Sequence, residues 1–132
     1  ALGIAQAALE ASILYANQRQ QFVVPLARHQ AIQMMIADMA TQVDAARMMV
    51  YRAAWLKDRK RPVTKAAAQA KLFAAETAGK VTDLAVQIHG GYGYSKAYAV
   101  ERFWRDARVT RIYEGTSEVH RIVIAREALA NR

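Results

Sequence analysis

Helical periodicity is the feature that most constrains the fold of this chain. Apolar side chains recur at steps of three and four residues from about residue 28 to residue 60, the pattern of one long helix with a single side facing a core. That side carries Ile32, Met35, Ile36, Met39, Val43, Ala46, Val50 and Ala53. The methionine pairs at 34–35 and 48–49 are typical of gap-filling side chains in such a core. Since no run of residues alternates as a strand does, the sequence predicts an all-α domain.

A proline separates this long helix from the one before it. Pro25 has no backbone N–H and follows two β-branched residues, so we expect a loop at residues 22–26. Residues 1–20 predict a first helix without a capping residue at its start. Its apolar side is formed by Ile4, Ala8, Ala11 or Ser12, and Tyr15.

The second half of the chain predicts three more helices. Thr64 is a candidate N-cap for an alanine-rich helix that reaches about His89. Glycines at 90–93 end it, residues 100–109 predict a short helix, and Thr116 is a candidate cap for a last helix that reaches about residue 130. Short connections favour an antiparallel up-and-down four-helix bundle made of the three long helices and the last one. The apolar side of the alanine-rich helix carries Ala67, Ala70, Phe73 or Ala74, Ala78, Val81, Leu84 or Ala85, and Ile88.

Composition limits the class of protein. A chain of 132 residues with 54% hydrophobic residues can bury the core of one domain. No apolar run reaches the length of a transmembrane segment, and no cysteine is present for disulfides or thiolate chemistry. The net charge of +8 favours polyanionic ligands, but basic and aromatic residues do not interleave as they do in nucleic-acid binders. The basic run at 57–61 fits a solvated helix end or a polyanion contact.

Metal and hydrolase chemistry find no support in the sequence. His29, His89 and His120 lack the four-residue spacing of a helical metal pair, and no carboxylate lies near two of them. Neither a Gly-x-Ser-x-Gly sequence nor a phosphate-binding Walker sequence occurs. We therefore expect no metal site.

Two glycine-containing segments are the candidates for function. Residues 89–93, His-Gly-Gly-Tyr-Gly, form either a helix cap with a turn or a phosphate-binding loop with exposed amides. Glu114 precedes Gly115 and the last helix, where an acid is favoured by the helix dipole or serves as a catalytic carboxylate. Local pattern alone leaves both alternatives open.

Separated motifs resemble a known family over nearly the whole chain. The segments are Tyr-Glu-Gly-Thr-Ser-Glu-Val at 113–119, Gln-Ile-His-Gly-Gly-Tyr-Gly at 87–93, Arg-Asp-Ala-Arg at 105–108 and Ile-Ala-Arg-Glu at 124–127, with Arg19 and Phe22 ahead of His-Gln at 29–30. In this order they resemble the C-terminal helical domain of the acyl-CoA dehydrogenases, flavoenzymes that desaturate acyl-CoA thioesters between Cα and Cβ. The resemblance implies an oxidoreductase of fatty-acid β-oxidation and lipid metabolism.

The resemblance also implies a cofactor, FAD, held largely by the neighbouring subunit of a dimer. Arg19 would meet its pyrophosphate, since a planar guanidinium pairs well with phosphate oxygens. The loop at 87–91 would touch the adenosine, and Thr116 and Glu118 would approach from the last loop. The full set of implied FAD contacts is Arg19, Gln21, Phe22, His29, Gln30, Gln87, Ile88, Gly90, Gly91, Thr116 and Glu118.

Glu114 takes the position of the catalytic base in this resemblance. It would remove the α-proton of the thioester while the flavin accepts the β-hydrogen as hydride, which requires a carboxylate in a dry pocket. Tyr113 would line the substrate pocket, and Gly115 would let the substrate pass close to the backbone. A glutamate here is similar to the short- and medium-chain members of the family.

The same resemblance implies partners and a location. They are an acyl-CoA substrate, an electron-transfer flavoprotein, and further copies of the chain in a homodimer or homotetramer, with no nucleic acid and no transmembrane segment. The location is cytoplasmic in a bacterium, or the mitochondrial matrix in a eukaryote.

Two departures from the family shape these expectations. Val23 stands where the family usually has a glycine, and valine tolerates positive φ poorly. The resemblance implies that residues 1–132 are a single C-terminal helical domain without the family's N-terminal and central β-domains, so we expect the isolated chain to be inactive. The alternatives are a noncatalytic helical bundle for self-association or protein binding, and a basic DNA binder whose affinity falls steeply with salt.

Overall fold

Five α-helices make up most of residues 1–130, the part of the chain that this computed structural model describes. They are α1 (Leu2–Gln18), α2 (Gln30–Asp58), α3 (Thr64–His89), α4 (Ala99–Val109) and α5 (Ser117–Ala130). Two 3-10 helices, Leu26–Arg28 and Gly90–Tyr94, lie ahead of α2 and α4. Among residues 1–130, no helix has both the length and the apolar character that a membrane span needs. The predicted all-α class is confirmed.

Helix α3 lies at the centre of the fold and contacts each of the other four α-helices. Twelve of its residues are buried, and seven of those are alanine, so neighbouring backbones approach it closely. The main core brings Met39 and Val43 of α2 together with Val81 of α3 and Val100 of α4. Because α4 as well as α5 packs on α3, the number of helices in the bundle stays a prediction.

The predicted core sides are largely correct, with two corrections on α3. Met39, Val43, Ala46 and Ala53 are the buried residues of α2, all four on the predicted side. Ala67 of α3 is exposed, however. Thr64 is the first residue of α3 and does not cap it, because Val63 takes the N-cap position without a side-chain hydrogen bond. Val63 packs instead against a small core cluster of Ala53, Ala66 and Ala70, where burial favours an apolar side chain.

The segment expected to be a loop contains a short hairpin. Strand β1 (Gln20–Gln21) pairs antiparallel with strand β2 (Val24–Pro25), and Phe22 and Val23 form the turn between them. Both turn residues have positive φ, 54° and 73°, as a two-residue turn of the mirror-image type requires. Neither side chain is buried, with Phe22 87% and Val23 94% exposed. The valine therefore adopts the conformation that its branched side chain disfavours, at a cost of about 1–2 kcal/mol.

Candidate functional site

A groove forms where the end of α1, the hairpin and the loop after α3 meet. Its volume is about 610 Å³, and we call it the α1–α3 groove. Six residues from two distant segments of the chain meet in this groove. The family resemblance implies that all six contact one ligand. These are Arg19, Gln21, Gln87, Ile88, Gly90 and Gly91.

Stacked aromatic rings form the inner wall of the groove. The Tyr15 ring lies on the His89 ring with centroids 4.1 Å apart, and the Tyr98 ring meets Tyr15 edge-on at 5.8 Å. The Tyr15 hydroxyl donates to the His89 carbonyl at 3.4 Å. These contacts join α1 to the end of α3 and to the start of α4, so the wall is fixed by packing.

Burial sets the charge state of this wall. His89 is 5% exposed, and desolvation lowers its pKa, opposed by its hydrogen bond with the Ala85 carbonyl. In the neutral ring Nδ1–H donates to that carbonyl, with Nδ1 and the oxygen 2.8 Å apart. Desolvation also raises the pKa of Tyr15, which Arg19 partly offsets. Both rings are therefore uncharged at neutral pH.

Arg19 is the charged group of the groove. Its backbone N–H donates to the Tyr15 carbonyl at 2.8 Å, which places it at the C-terminal end of α1. Its guanidinium lies 5.3 Å from the centre of the Tyr92 ring, a cation–π distance. Within residues 1–130 no carboxylate forms a salt bridge with Arg19. The charge is thus held in position and open to an anion.

The glycine loop after α3 is required by close packing. A Cβ at Gly93 would lie 2.6 Å from the Val86 carbonyl oxygen and 2.9 Å from the His89 Cβ. Gly90 ends α3 with φ of 59° and ψ of −140°, a conformation essentially limited to glycine. The helix-cap interpretation of residues 89–93 is therefore correct, and it is compatible with a ligand over Gly91, where a Cβ would meet open space.

Three further residues predicted for the same ligand, Phe22, His29 and Gln30, lie in the hairpin turn and at the start of α2. His29 Nε2 is 3.1 Å from the Gln21 carbonyl oxygen, and its ring meets the Phe22 ring edge-on at 6.2 Å. Gln30 is the first residue of α2. None of Phe22, His29 and Gln30 lines the groove. His29 contacts the hairpin that carries Gln21.

The second candidate site is the Glu114 turn, residues 113–116 between α4 and α5. Glu114 has φ of 53° and Gly115 has φ of 90°, so two consecutive residues are left-handed. The side chains of Tyr113 and Glu114 are exposed. Thr116 Oγ1 accepts the Val119 N–H at 3.3 Å, which confirms Thr116 as the cap of α5. The dry pocket that a catalytic carboxylate needs is not formed by residues 1–130 alone.

Glu118 lies beside this cap. A hydrogen bond with its own backbone N–H, followed by one with the Thr116 side chain, holds the pKa of its carboxyl below the usual range. The group is fully exposed, so it remains a carboxylate at neutral pH. It adds negative charge at the start of α5.

Gly115 packs closely against the His120 ring. A Cβ at Gly115 would lie 3.1 Å from His120 Nε2. That nitrogen and Ser117 Oγ are buried, and within the described part of the chain neither has a hydrogen-bond partner. The turn therefore lies closely on the first turn of α5.

Two charged residues of α3 hold the Glu114 turn, and sequence reasoning missed both. Lys71 Nζ donates to the carbonyls of Thr110 at 2.6 Å, Tyr113 at 3.3 Å and Gly115 at 3.4 Å. Glu76 pairs with Arg111 at 3.0 Å. In the sequence they are only a lysine and a glutamate in a helix rich in small residues. That pattern does not identify the residues they contact.

The two candidate sites lie far apart on the same helix. Lys71 and His89 are eighteen residues apart on α3, which at 1.5 Å per residue is about 27 Å. The predicted FAD contacts therefore fall in two places, the α1–α3 groove and the Glu114 turn. No three side chains among the His, Asp and Glu of residues 1–130 converge as a metal site.

Comparison with known proteins identifies the family. Residues 1–129 match the family model described as the acyl-CoA dehydrogenase, C-terminal domain. The chain belongs to the acyl-CoA dehydrogenase family. It is 59% identical over 129 residues to the probable acyl-CoA dehydrogenase YngJ of Bacillus subtilis, covering 98% of this chain and 34% of that protein. It is 55% identical over 125 residues to the mitochondrial short-chain specific acyl-CoA dehydrogenase of Bos taurus, covering 95% and 30%.

Solved structures agree with this assignment. The fold matches the butyryl-CoA dehydrogenase of Megasphaera elsdenii with a TM-score of 0.96 and 50% sequence identity, over 97% of this chain and 33% of that one. The chain thus spans about a third of the length of the relatives it matches. It corresponds to the C-terminal helical domain of an acyl-CoA dehydrogenase.

The groove has the donor set that FAD, the cofactor implied for this family, requires at its adenosine diphosphate end. A guanidinium suits phosphate oxygens, and the side-chain amides of Gln21 and Gln87 suit the edges of an adenine or a ribose. The exposed backbone at Gly90 and Gly91 lets a planar group approach closely. The residues present therefore fit this part of the cofactor.

Proposed function

We propose that this chain is the C-terminal domain of an FAD-dependent acyl-CoA dehydrogenase and supplies its catalytic base, Glu114. The observation that carries the proposal is the α1–α3 groove. Residues 19–21 and 87–91 are far apart in sequence, and the family resemblance implies that both contact FAD. Their convergence beside a fixed, unpaired guanidinium supports a shared role.

The distance between the two sites supports a cofactor shared between subunits. We assign the groove to the adenosine diphosphate end of a neighbouring subunit's FAD, held by Arg19, Gln21, Gln87, Ile88, Gly90 and Gly91. Phe22, His29 and Gln30 shape its rim. Thr116 and Glu118 lie at the Glu114 turn and the start of α5; Lys71, which contacts that turn, is about 27 Å along α3 from His89. We assign Thr116 and Glu118 to the FAD of their own subunit. This division accounts for all the assigned residues and requires a homodimer or homotetramer.

Glu114 performs the proton transfer in this proposal. Its carboxylate accepts the proton from the substrate Cα, and the electron pair of that C–H bond forms the Cα=Cβ bond. When bound, FAD supplies the acceptor for the hydride that leaves Cβ. Tyr113 lines the acyl pocket, and Gly115 leaves room for the thioester beside the backbone. Because Glu114 is exposed here, the remaining domains and the acyl chain must exclude water from it.

The finer assignments follow the family. We propose straight short- to medium-chain acyl-CoA thioesters as substrates, in fatty-acid β-oxidation, and an electron-transfer flavoprotein as the redox partner. The location would be the cytoplasm of a bacterium or the mitochondrial matrix of a eukaryote. Residues 1–132 would form one domain of a larger assembly and be inactive alone.

Titration of the purified chain with FAD tests the groove. We expect saturable quenching of flavin fluorescence at modest salt and its loss in Arg19→Ala. Arg28→Ala is the matched control, because Arg28 is also basic and close to the hairpin but does not line the groove. Equal binding by the wild type and Arg19→Ala would remove Arg19 from the cofactor site. If the wild type does not bind, the groove has no measurable share of FAD recognition without its other domains.

A chimaeric enzyme tests Glu114. Residues 1–129 of this chain would replace the matching part of YngJ, and acyl-CoA oxidation would be followed by bleaching of the flavin. Glu114→Gln should lower turnover by about 10³-fold or more, since it removes the base and keeps the shape. Glu10→Gln, at an exposed position on α1, is the control. Turnover retained in Glu114→Gln would exclude Glu114 as the base.

A noncatalytic role in association remains the second candidate, favoured by one observation. Helix α2 exposes four large apolar side chains, and three of them, Met48, Tyr51 and Trp55, lie in its second half at 67%, 60% and 48% exposed. Exposed apolar surface of this kind marks interaction sites. A chain that self-associates by sedimentation but whose chimaera neither binds FAD nor oxidises acyl-CoA would favour this role over the enzyme.

A further inference from the structure

Lys71 makes an unusual set of contacts for a helical lysine. Its ammonium group donates to three backbone carbonyls of the connection between α4 and α5, those of Thr110, Tyr113 and Gly115, at 2.6, 3.3 and 3.4 Å. It also lies 5.8 Å from the centre of the Tyr113 ring. An ammonium has three protons, so three carbonyls match its donor capacity.

The three acceptors surround Glu114. Two of them belong to the residues directly before and after it, and the third is at the end of α4. The backbone dihedrals of Glu114 and Gly115 lie between the Tyr113 and Gly115 carbonyls, so holding both oxygens limits the backbone of the turn and the direction of the Glu114 Cα–Cβ bond. This constraint matters because Glu114 has a left-handed backbone conformation. A glutamate keeps that conformation only where its surroundings impose it.

Helix α3 holds the flanks of the turn at a second point. Glu76, five residues after Lys71, pairs with Arg111 ahead of the turn at 3.0 Å and with Arg121 of α5 beyond it at 3.7 Å. The Ser117 N–H donates to the Arg111 carbonyl at 3.1 Å and closes the segment. The turn is therefore held both by its own backbone hydrogen bonds and by side chains of the central helix of the fold.

We propose that Lys71 is a positioning residue for Glu114. It holds the peptide unit before Glu114 and the one after Gly115, and so sets where the carboxylate meets the substrate. The contribution to catalysis rests on the proposed function, whereas the contribution to the geometry of the turn does not. The two parts are therefore tested separately.

The geometric part can be tested in this chain alone, because it contains no cysteine. In Lys71→Cys the single thiol would be alkylated in urea, either with bromoethylamine to restore a primary ammonium or with bromopropane to give a neutral side chain of similar length. After refolding, NMR would follow the carbonyl ¹³C shifts of residues 110, 113 and 115 and the exchange of the Ser117 amide proton.

We expect the ammonium adduct to reproduce the wild-type shifts and exchange rate. The neutral adduct should shift all three carbonyls and exchange Ser117 about tenfold faster, as the loss of a charge-assisted hydrogen bond implies. Amide exchange at Val81, in the core of α3, is the internal control. Identical spectra for the two adducts would overturn the proposal. If the neutral adduct does not refold, Lys71→Arg replaces it, because a planar fork cannot meet three converging carbonyls.

The catalytic part is tested in the YngJ chimaera. Lys71→Met should lower kcat about tenfold and leave KM and FAD binding unchanged, since it misplaces the base without touching the binding groove. Lys80→Met, at an exposed position on the same helix, is the matched control. An unchanged kcat would overturn the positioning role. Altered carbonyl shifts combined with full activity in Glu114→Gln would instead show that the turn is held by Lys71 but that Glu114 is not the base.

Discussion

The α1–α3 groove and the Glu114 turn are built in opposite ways. Packing builds the groove, since Tyr15, His89 and Gly93 meet at van der Waals distance and leave a single open charge at its mouth. The turn is exposed and left-handed, and it is held by charged groups that reach across from α3. A site for a rigid cofactor can be preformed in this way. A site for proton transfer needs one side chain that points into a substrate pocket, and other parts of the enzyme can form the rest of that pocket.

The difference implies that substitutions will act differently in the two regions. Those in the groove should change stability through packing, where crowding and cavities cost energy directly. Substitutions in the Glu114 turn should instead relieve backbone strain and lower activity, because strained conformations at functional sites are maintained by their surroundings. Four substitutions test this contrast.

Gly93→Ala should have the largest effect. Its Cβ would meet the Val86 carbonyl oxygen at 2.6 Å and the Val86 Cα at 3.0 Å, and backbone atoms cannot move aside easily. We expect a loss of about 2–3 kcal/mol in the free energy of unfolding, measured with urea. Gly91→Ala is the control, since its Cβ meets open space, and it should change stability by less than about 1 kcal/mol. Equal effects of the two would mean that the loop is not packed against α3.

Val23→Gly should stabilise the chain by about 1 kcal/mol. It relieves a β-branched residue with φ of 73° at an exposed turn and loses no buried contact. Val24→Gly, one residue later in β2, should instead destabilise, because no positive φ is relieved there. Thermal unfolding of the two variants would distinguish them. A loss of stability in Val23→Gly would mean that the valine makes contacts that its exposure hides.

The hairpin shows where sequence reasoning reached its limit. Pro25 and the preceding valines correctly indicated a break between helices, and the resemblance raised a concern about the conformation of Val23. Neither could show that strands of two residues pair across it, because register depends on where α1 and α2 place the two ends. Likewise Thr64 satisfied the local rule for an N-cap, but the packing of the partly buried Val63 against Ala53, Ala66 and Ala70 prevailed.

The candidate sites show a similar division. The glycine loop was found from its local signal, a glycine cluster after a helix, whereas Arg19 was assigned by the family resemblance alone. Lys71 and Glu76 were missed, since their partners are carbonyls and arginines some 35 to 45 residues later. Periodicity reports which side of a helix is buried. It does not report which distant backbone atoms a buried charge meets.

Glu114→Gly should stabilise the chain by about 0.5 kcal/mol, less than Val23→Gly because glutamate is not β-branched. The YngJ chimaera that carries Glu114→Gly should lose turnover. A gain in stability together with a loss of activity is the result expected where a functional residue is kept in a strained conformation. Lys60→Gly is the matched control, since Lys60 has φ of 54° at the end of α2 and lies outside both sites. It should give a comparable gain with activity intact. A gain in Lys60→Gly without one in Glu114→Gly would contradict strain at the Glu114 turn.

His89→Phe should have the smallest effect at neutral pH and a larger one in acid. Burial lowers the pKa of His89 in the folded chain below the unfolded value of about 6.5, so the unfolded chain binds more protons as the pH falls. The stability that the neutral ring contributes is therefore present above pH 6.5 and is lost as the pH falls through the folded value.

Phenylalanine keeps the stacking on Tyr15 and cannot titrate, so the free energy of unfolding of His89→Phe should rise relative to the wild type between pH 7 and pH 5. Urea unfolding at several pH values would measure this. Tyr15→Phe, which leaves His89 in place, should keep the wild-type slope. Parallel pH profiles for the wild type and His89→Phe would mean that the ring is hydrated or already charged in the fold. In that case the groove wall would not be a dry, packed surface, and the contrast between the two regions would fail.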